Sequence, residues 1–164
     1  MIPVYKILVH ARVTCHLDYC NALLHDIPQY QQQRLQKILN ASARLVCRLP
    51  KYCHISPVLK DLHWLPIKYR VIFKIILLVF KVLHGMAPLY LNDLINLKPE
   101  GRYHLRNDDQ LMVPRTRCKT FGDTAFSKSG PVLWNSLPVC IRQITNMERF
   151  KTELKTLLFK LAYN

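Results

Sequence analysis

Crowded histidines and cysteines raise two kinds of chemistry at once, metal binding and nucleophilic catalysis. His10, Cys15, His16, Cys20 and His25 share one short stretch, and Cys47, Cys53, His54 and His63 a second. Structural zinc sites pair their ligands roughly two to four residues apart, and neither group keeps that register. Cysteine and histidine also serve as packing residues, and the spacing favours that use. A nucleophile needs an adjacent base and often a glycine-rich elbow. Glycine occurs only at 85, 101, 122 and 130, which makes neither an elbow nor a phosphate-cradling loop. The adjacent acidic pair Asp108-Asp109 has the charge to hold Mg²⁺ for nucleotidyl transfer. It follows Arg106-Asn107 in a polar stretch, however, rather than an aromatic residue on an apolar strand. It therefore reads as a solvated loop. No catalytic residue, metal ligand or cofactor is expected from these residues.

The cations give a stronger signal. The 164 residues carry 24 Lys plus Arg against 10 Asp plus Glu, a formal charge of +14. A protein this basic usually faces phosphates. Arg34, Lys37, Arg44 and Arg48 recur at helical spacing, with Gln31, Gln33 and Asn40 beside them. Such a row suits the backbone of DNA or RNA, bound without reading sequence. Arg115, Arg117 and Lys119 alternate, so in an extended chain they share one face and extend the candidate set. The bland alternative for either row is an ordinary solvated surface.

These rows need elements to hold them. Half of the residues are hydrophobic, enough to pack a core. Pro66 and Gly85 bracket a run, Val71 to Leu83, that is apolar on almost every side, and Pro before and Gly after are helix punctuation. Arg70 stands just before it and Lys74 and Lys81 interrupt it, and it falls short of the roughly 20 apolar residues of a membrane span. The run predicts a core helix with Ile72 to Leu83 the most buried. Before it, Ile7 to His25 and Gln29 to Leu49 predict an αα-hairpin broken at Pro28. Leu35, Ile38, Leu39, Leu45, Val46 and Leu49 form the inward arc of the second helix. Ser56-Pro57 predicts a short helix over 57–62, and Pro88 another over 88–95. A linker is expected over 98–110, then at most a β-hairpin near 111–121. Phe126 to Asn135 reads as a short helix. Asn146 caps a last amphipathic helix with Met147, Phe150, Leu154, Leu157, Leu158 and Leu161 on one side. The fold class expected is mainly α. The six cysteines are irregularly spaced, and Met1 to Val9 is too short an apolar run for a signal peptide. Reduced thiols in a nuclear or cytoplasmic protein, not a secreted one, follow from that.

Several blocks resemble one family. His16-Leu17-Asp18-Tyr19-Cys20-Asn21-Ala22-Leu23-Leu24, Arg34 to Val46, and His54 to Ile67 with its Asp61-Leu62-His63-Trp64-Leu65-Pro66 core resemble non-LTR (LINE-type, jockey/CR1/L2-like) retrotransposon polyproteins. Gly85 to Leu91, Val113 to Arg117, Phe121 to Phe126 and Leu133 to Pro138 follow in the family's order, so the resemblance covers about residues 7 to 160. It implies the region after the reverse-transcriptase palm: a thumb-like helical hairpin over 1–49 that grips template and primer. A central helical region over 50–97, the linker, and a C-terminal region over 111–164 then follow. Fingers, palm, the aromatic-x-Asp-Asp motif and the endonuclease are missing, so RNA-directed DNA polymerase activity does not carry over. The partners implied are a duplex backbone and, in an intact element, the missing palm. The competing class is a helical protein-interaction module built on Trp64, Trp134 and the apolar helices. A membrane-surface helix over 147–163 fits less well, and no membrane partner is expected.

Overall fold

The computed structural model describes residues 2–98, 110–117 and 121–164. The chain is mainly α-helical, as its periodicity predicts. In order come α1 (Ile2–Val9), a π turn (His10–Thr14), α2 (Cys15–Asp18), a 3₁₀ turn (Asn21–Leu24), α3 (Gln29–Cys47), α4 (Ile55–Asp61), α5 (Ile67–Leu83), α6 (Leu89–Asn92), α7 (Phe121–Thr124), α8 (Phe126–Asn135), α9 (Val139–Arg142) and α10 (Met147–Tyr163). Among the described residues there is no strand, only an antiparallel bridge between Leu97 and Leu111. The hairpin expected near 111–121 is absent from 110–117. Most of the predicted linker, with Asp108-Asp109, lies outside the described residues, as do Cys118 and Lys119.

Two compact units divide the chain: Met1–Val71 with Thr156–Asn164, and Ile72–Lys155. The division falls inside α5 and α10.

In the first unit α3 packs against α1, the π turn and α4. Leu39, Ser42, Ala43 and Val46 form its buried stripe, and Ser42 satisfies its hydroxyl by donating to the Ile38 carbonyl at 2.9 Å. This corrects the predicted arc, because Ile38 and Leu45 are 48% and 60% exposed. They sit at the border between the packed stripe and the cations, and the neighbours of α3 cover the stripe without reaching that border. The first predicted helix, Ile7 to His25, is also revised. The helical run ends at Asp18, Tyr19 is extended with ψ 121°, and Cys20 takes a left-handed φ of 47° just before the 3₁₀ turn.

Side chains of α5 and α10 close this unit. Arg70 donates to both carboxylate oxygens of Asp18, at 3.0 and 2.8 Å, and through Nε to the Leu65 carbonyl at 2.9 Å. The Ile67 amide, one of the orphan donors of a helix start, donates to Gln36 Oε1 at 2.9 Å. Tyr69 donates to the Leu161 carbonyl at 2.8 Å, and Tyr163 donates to that of Trp64. His10 meets Trp64 edge-on with centroids 5.6 Å apart.

Burial pushes the Tyr163 phenol up to about 12, against an opposing pull from Arg70. The neutral phenol is therefore the form the fold prefers. Its contribution is fully present below the unfolded value near 10 and is lost as pH rises from there through about 12. Stability measured by chemical denaturation across that alkaline window is expected to fall more steeply for the wild type than for Tyr163→Phe. Parallel curves for the two proteins would remove the phenol from the account.

The second unit is built on the middle and end of α5. Ile75, Ile76, Val79, Phe80 and Val82 are buried, whereas Ile72, Phe73, Leu77, Leu78 and Leu83 are half-buried. The helix thus has one fully packed face rather than burial all round. Phe80 stacks on Phe150 of α10 with centroids 4.1 Å apart, and Trp134 lies 5.8 Å from Phe150. Gly130 of α8 sits where a Cβ would stand 3.0 Å from Val79 and 3.3 Å from Ile95, so glycine there permits a close approach. Asn135 clamps Leu111, accepting from its amide and donating to its carbonyl, both at 2.9 Å. Asn146 Oδ1 accepts from the Glu148 and Arg149 amides at 3.0 Å, the predicted cap of α10. Phe150, Leu154 and Leu158 of that helix are buried, while Leu161 is exposed.

The predicted short helices shift slightly. α4 begins at Ile55 with Ser56 and Pro57 inside its first turn, where proline's missing N–H costs nothing. α6 ends at Asn92, and Asp93-Leu94 is a turn.

Candidate nucleic-acid interface

The predicted cations occupy three different environments. Arg34 and Lys37, one turn apart on α3, are exposed and have no partner among the described residues. Arg44 is half-buried and turns back, its Nη2 donating to the Cys53 carbonyl at 3.2 Å, while its Nε is buried without a partner. Arg48 is not on the helix. It takes φ 53° just past Cys47, and the Leu49 amide donates to the Arg44 carbonyl at 2.9 Å. That is the Schellman closure usually made by glycine. Arg48 Nη2 donates to the Tyr5 hydroxyl at 3.2 Å, with the guanidinium 5.0 Å from the Tyr5 ring centre. A cation–π contact of this kind, worth roughly 0.5–1 kcal/mol at an exposed site, offsets part of the left-handed strain.

The row of four is therefore an exposed pair, a structural arginine and a cation at the hairpin's end. Helical spacing alone places them together because it assumes that the helix continues through Arg48 and that Arg44 stays extended. Arg115 and Arg117 are exposed on a stretch without regular structure. Lys119 falls outside the described residues.

Residues flanking the pair behave differently from one another. Gln31 donates to the Tyr30 hydroxyl at 3.0 Å, and Gln33 is exposed. Asn40 accepts from Gln36 Nε2 at 2.8 Å. On the border with the packed stripe, the exposed Ile38 adds apolar surface beside Arg34 and Lys37.

The histidine and cysteine clusters form no site among the described residues. No group of three or more His, Cys, Asp or Glu there stands close enough to hold a metal ion. His10, His63 and His84 instead pack on the rings of Trp64, Phe159 and Phe80. Cys15, Cys20, Cys47, Cys53 and Cys140 are free thiols. No described helix is long and apolar enough to cross a membrane.

No family model, curated protein or solved structure matches this chain. The site's chemistry therefore rests on its own geometry. Two solvent-facing cations a turn apart, on a helix anchored by a buried stripe, supply charge without a donor pattern that selects one base over another. What such a surface can do is neutralise backbone phosphates.

A second surface lies on the same helix, and the cation spacing does not point to it. Gln29, Gln32, Gln33, Gln36 and Asn40 line a cleft of about 680 Å³ together with α4, Lys68 and the end of α10. The amides lie at offsets of three, four, seven and eleven from Gln29, one face of a helix. That periodicity is readable in the sequence. The elements that wall it are not.

Proposed function

We propose that this chain is a nucleic-acid-binding region similar to the thumb and post-palm part of a non-LTR retrotransposon reverse transcriptase, which grips duplex backbones without reading sequence and has no catalysis of its own. The observation that carries the reading is the solvent-facing pair Arg34 and Lys37 on α3, in a chain of formal charge +14. Arg48 adds a third contact at the hairpin end, while Arg44 is withdrawn from it by the Cys53 carbonyl. Arg115, Arg117 and Lys119 are the secondary set. The polymerase part of the parent family has no counterpart in this sequence, and Primer extension on an RNA template with Mg²⁺ is expected to give no product.

The test is the salt dependence of binding to a labelled DNA duplex. Each neutralised phosphate contributes about −0.9 to the slope of log K against log salt. Three contacts give roughly −2.7. Arg34→Glu with Lys37→Glu is expected to flatten the slope by about two units while leaving the helical circular dichroism unchanged. An unchanged slope would transfer the function to a protein-interaction module. The observation favouring that second reading is the exposed apolar set on α1, Val4, Ile7 and Leu8 at 58%, 65% and 55%, since contiguous exposed apolar surface marks contact sites.

A further inference from the structure

We propose that the amide-lined cleft of the first unit receives an unpaired adenine, held through its hydrogen-bonding edge, with the attached phosphate on Lys68. Neither Arg34 nor Lys37 lines the cleft, so their role is tested separately.

Every side chain that α3 gives this cleft is a carboxamide, and no carboxylate side chain lines it. Gln36 is committed to the fold: its Oε1 accepts from the Ile67 amide and its Nε2 donates to Asn40 Oδ1, at 2.9 and 2.8 Å. This relay satisfies the Asn40 carbonyl and leaves its NH₂ as a donor. Gln32 and Gln33 have no partner among the described residues, so each keeps a donor and an acceptor side by side. That pairing matches adenine, whose N7 accepts beside an N6 amine that donates. Tyr163 lines the same cleft, its hydroxyl bonded to the Trp64 carbonyl and its ring 4.7 Å from that of Phe159, so the part of the ring left accessible is what it offers. Bases stack on such rings, and Lys68 is the lining cation for a phosphate. A volume of about 680 Å³ falls within the range of small-ligand sites. Ile55, Leu59, Pro66 and Ala162 give the cleft apolar wall as well, but an extended peptide would want a strand edge, and among the described residues there is none.

The same chemistry serves a free nucleotide or a base within a strand, and the test separates them. The full chain is titrated by fluorescence anisotropy with labelled (dA)₁₂, (dC)₁₂ and (dT)₁₂ at one salt concentration. Its glutamine side-chain NH₂ resonances are followed on adding dAMP. Tighter binding of (dA)₁₂ by about tenfold is expected, the low end of discrimination by a bidentate amide. Gln32→Ala with Gln33→Ala should erase that preference, so that the three oligonucleotides bind alike. Gln33 is exposed and Gln32 half-buried, and neither makes a side-chain hydrogen bond among the described residues. Gln36 is left intact. NH₂ shifts with dAMP, lost in the same variant and without a strand preference, would identify a free nucleotide as the occupant. Equal affinities with no dAMP shifts, or a preference surviving the double substitution, would overturn the proposal. Arg34→Glu with Lys37→Glu should weaken all three oligonucleotides alike and preserve the base preference, so failure of either idea is visible separately.

Discussion

Phe80→Ala is expected to destabilise the protein by about 3–5 kcal/mol, the range for emptying a phenylalanine site in a packed core. Phe80 is 0% exposed, stacked on Phe150 at 4.1 Å and on His84 at 4.0 Å. Truncation removes the ring's burial and also strips Phe150 of its partner. Phe150 is itself 0% exposed and lies beside Trp134, which is 1% exposed. The hole therefore opens at the centre of an aromatic group, where relaxation has few directions. Leu77→Ala, three residues away on the half-buried side of the same helix, is the comparison. It should cost about 1–2 kcal/mol, since part of its side chain never leaves water. Urea unfolding followed by circular dichroism measures both. Equal losses would mean that α5 has no preferred buried face.

The second large effect is expected at Arg70. Its side chain is 13% exposed and makes three hydrogen bonds, two of them to the Asp18 carboxylate. Hydrogen bonds to charged groups are worth about 1.5–3 kcal/mol, and Arg70→Met should lose that much. The loss stops short of the penalty for a fully buried pair, because Asp18 is 41% exposed and water can replace its partner. Asp18→Asn is expected to cost less, since Arg70 keeps its bond to the Leu65 carbonyl. In a double-mutant cycle the coupling should exceed about 1 kcal/mol. A coupling near zero would mean that the two side chains contribute independently.

Helix positions were legible where the punctuation is unambiguous. Pro66 and Gly85 bracket α5, and the Gly85 φ of 65° is the left-handed closure that glycine announces. Phe126–Asn135 and the Asn146 cap were likewise readable. The end that hid is closed by a side chain larger than glycine. Arg48 holds φ of 53°, and an arginine after a helical pattern looks like its continuation. The misassigned cation row follows from that one residue. Arg44 is a different failure: its partner, the Cys53 carbonyl, lies beyond the turn, and backbone acceptors leave no mark in a sequence. For the cleft, the amide stripe was present in the pattern, but its meaning depends on α4 and the end of α10 standing against it.

The π turn at His10–Thr14 closes with the Cys15 amide donating to the His10 carbonyl, five residues back. Such a turn is an α-turn holding one surplus residue. Excising a single codon there would restore a plain helix and leave Leu17 and Asp18 in phase with what they touch. The same excision within α3 would rotate everything downstream by about 100° and carry Val46 off the core. The N-terminal run thus contains slack, a place where chain length can change without losing register.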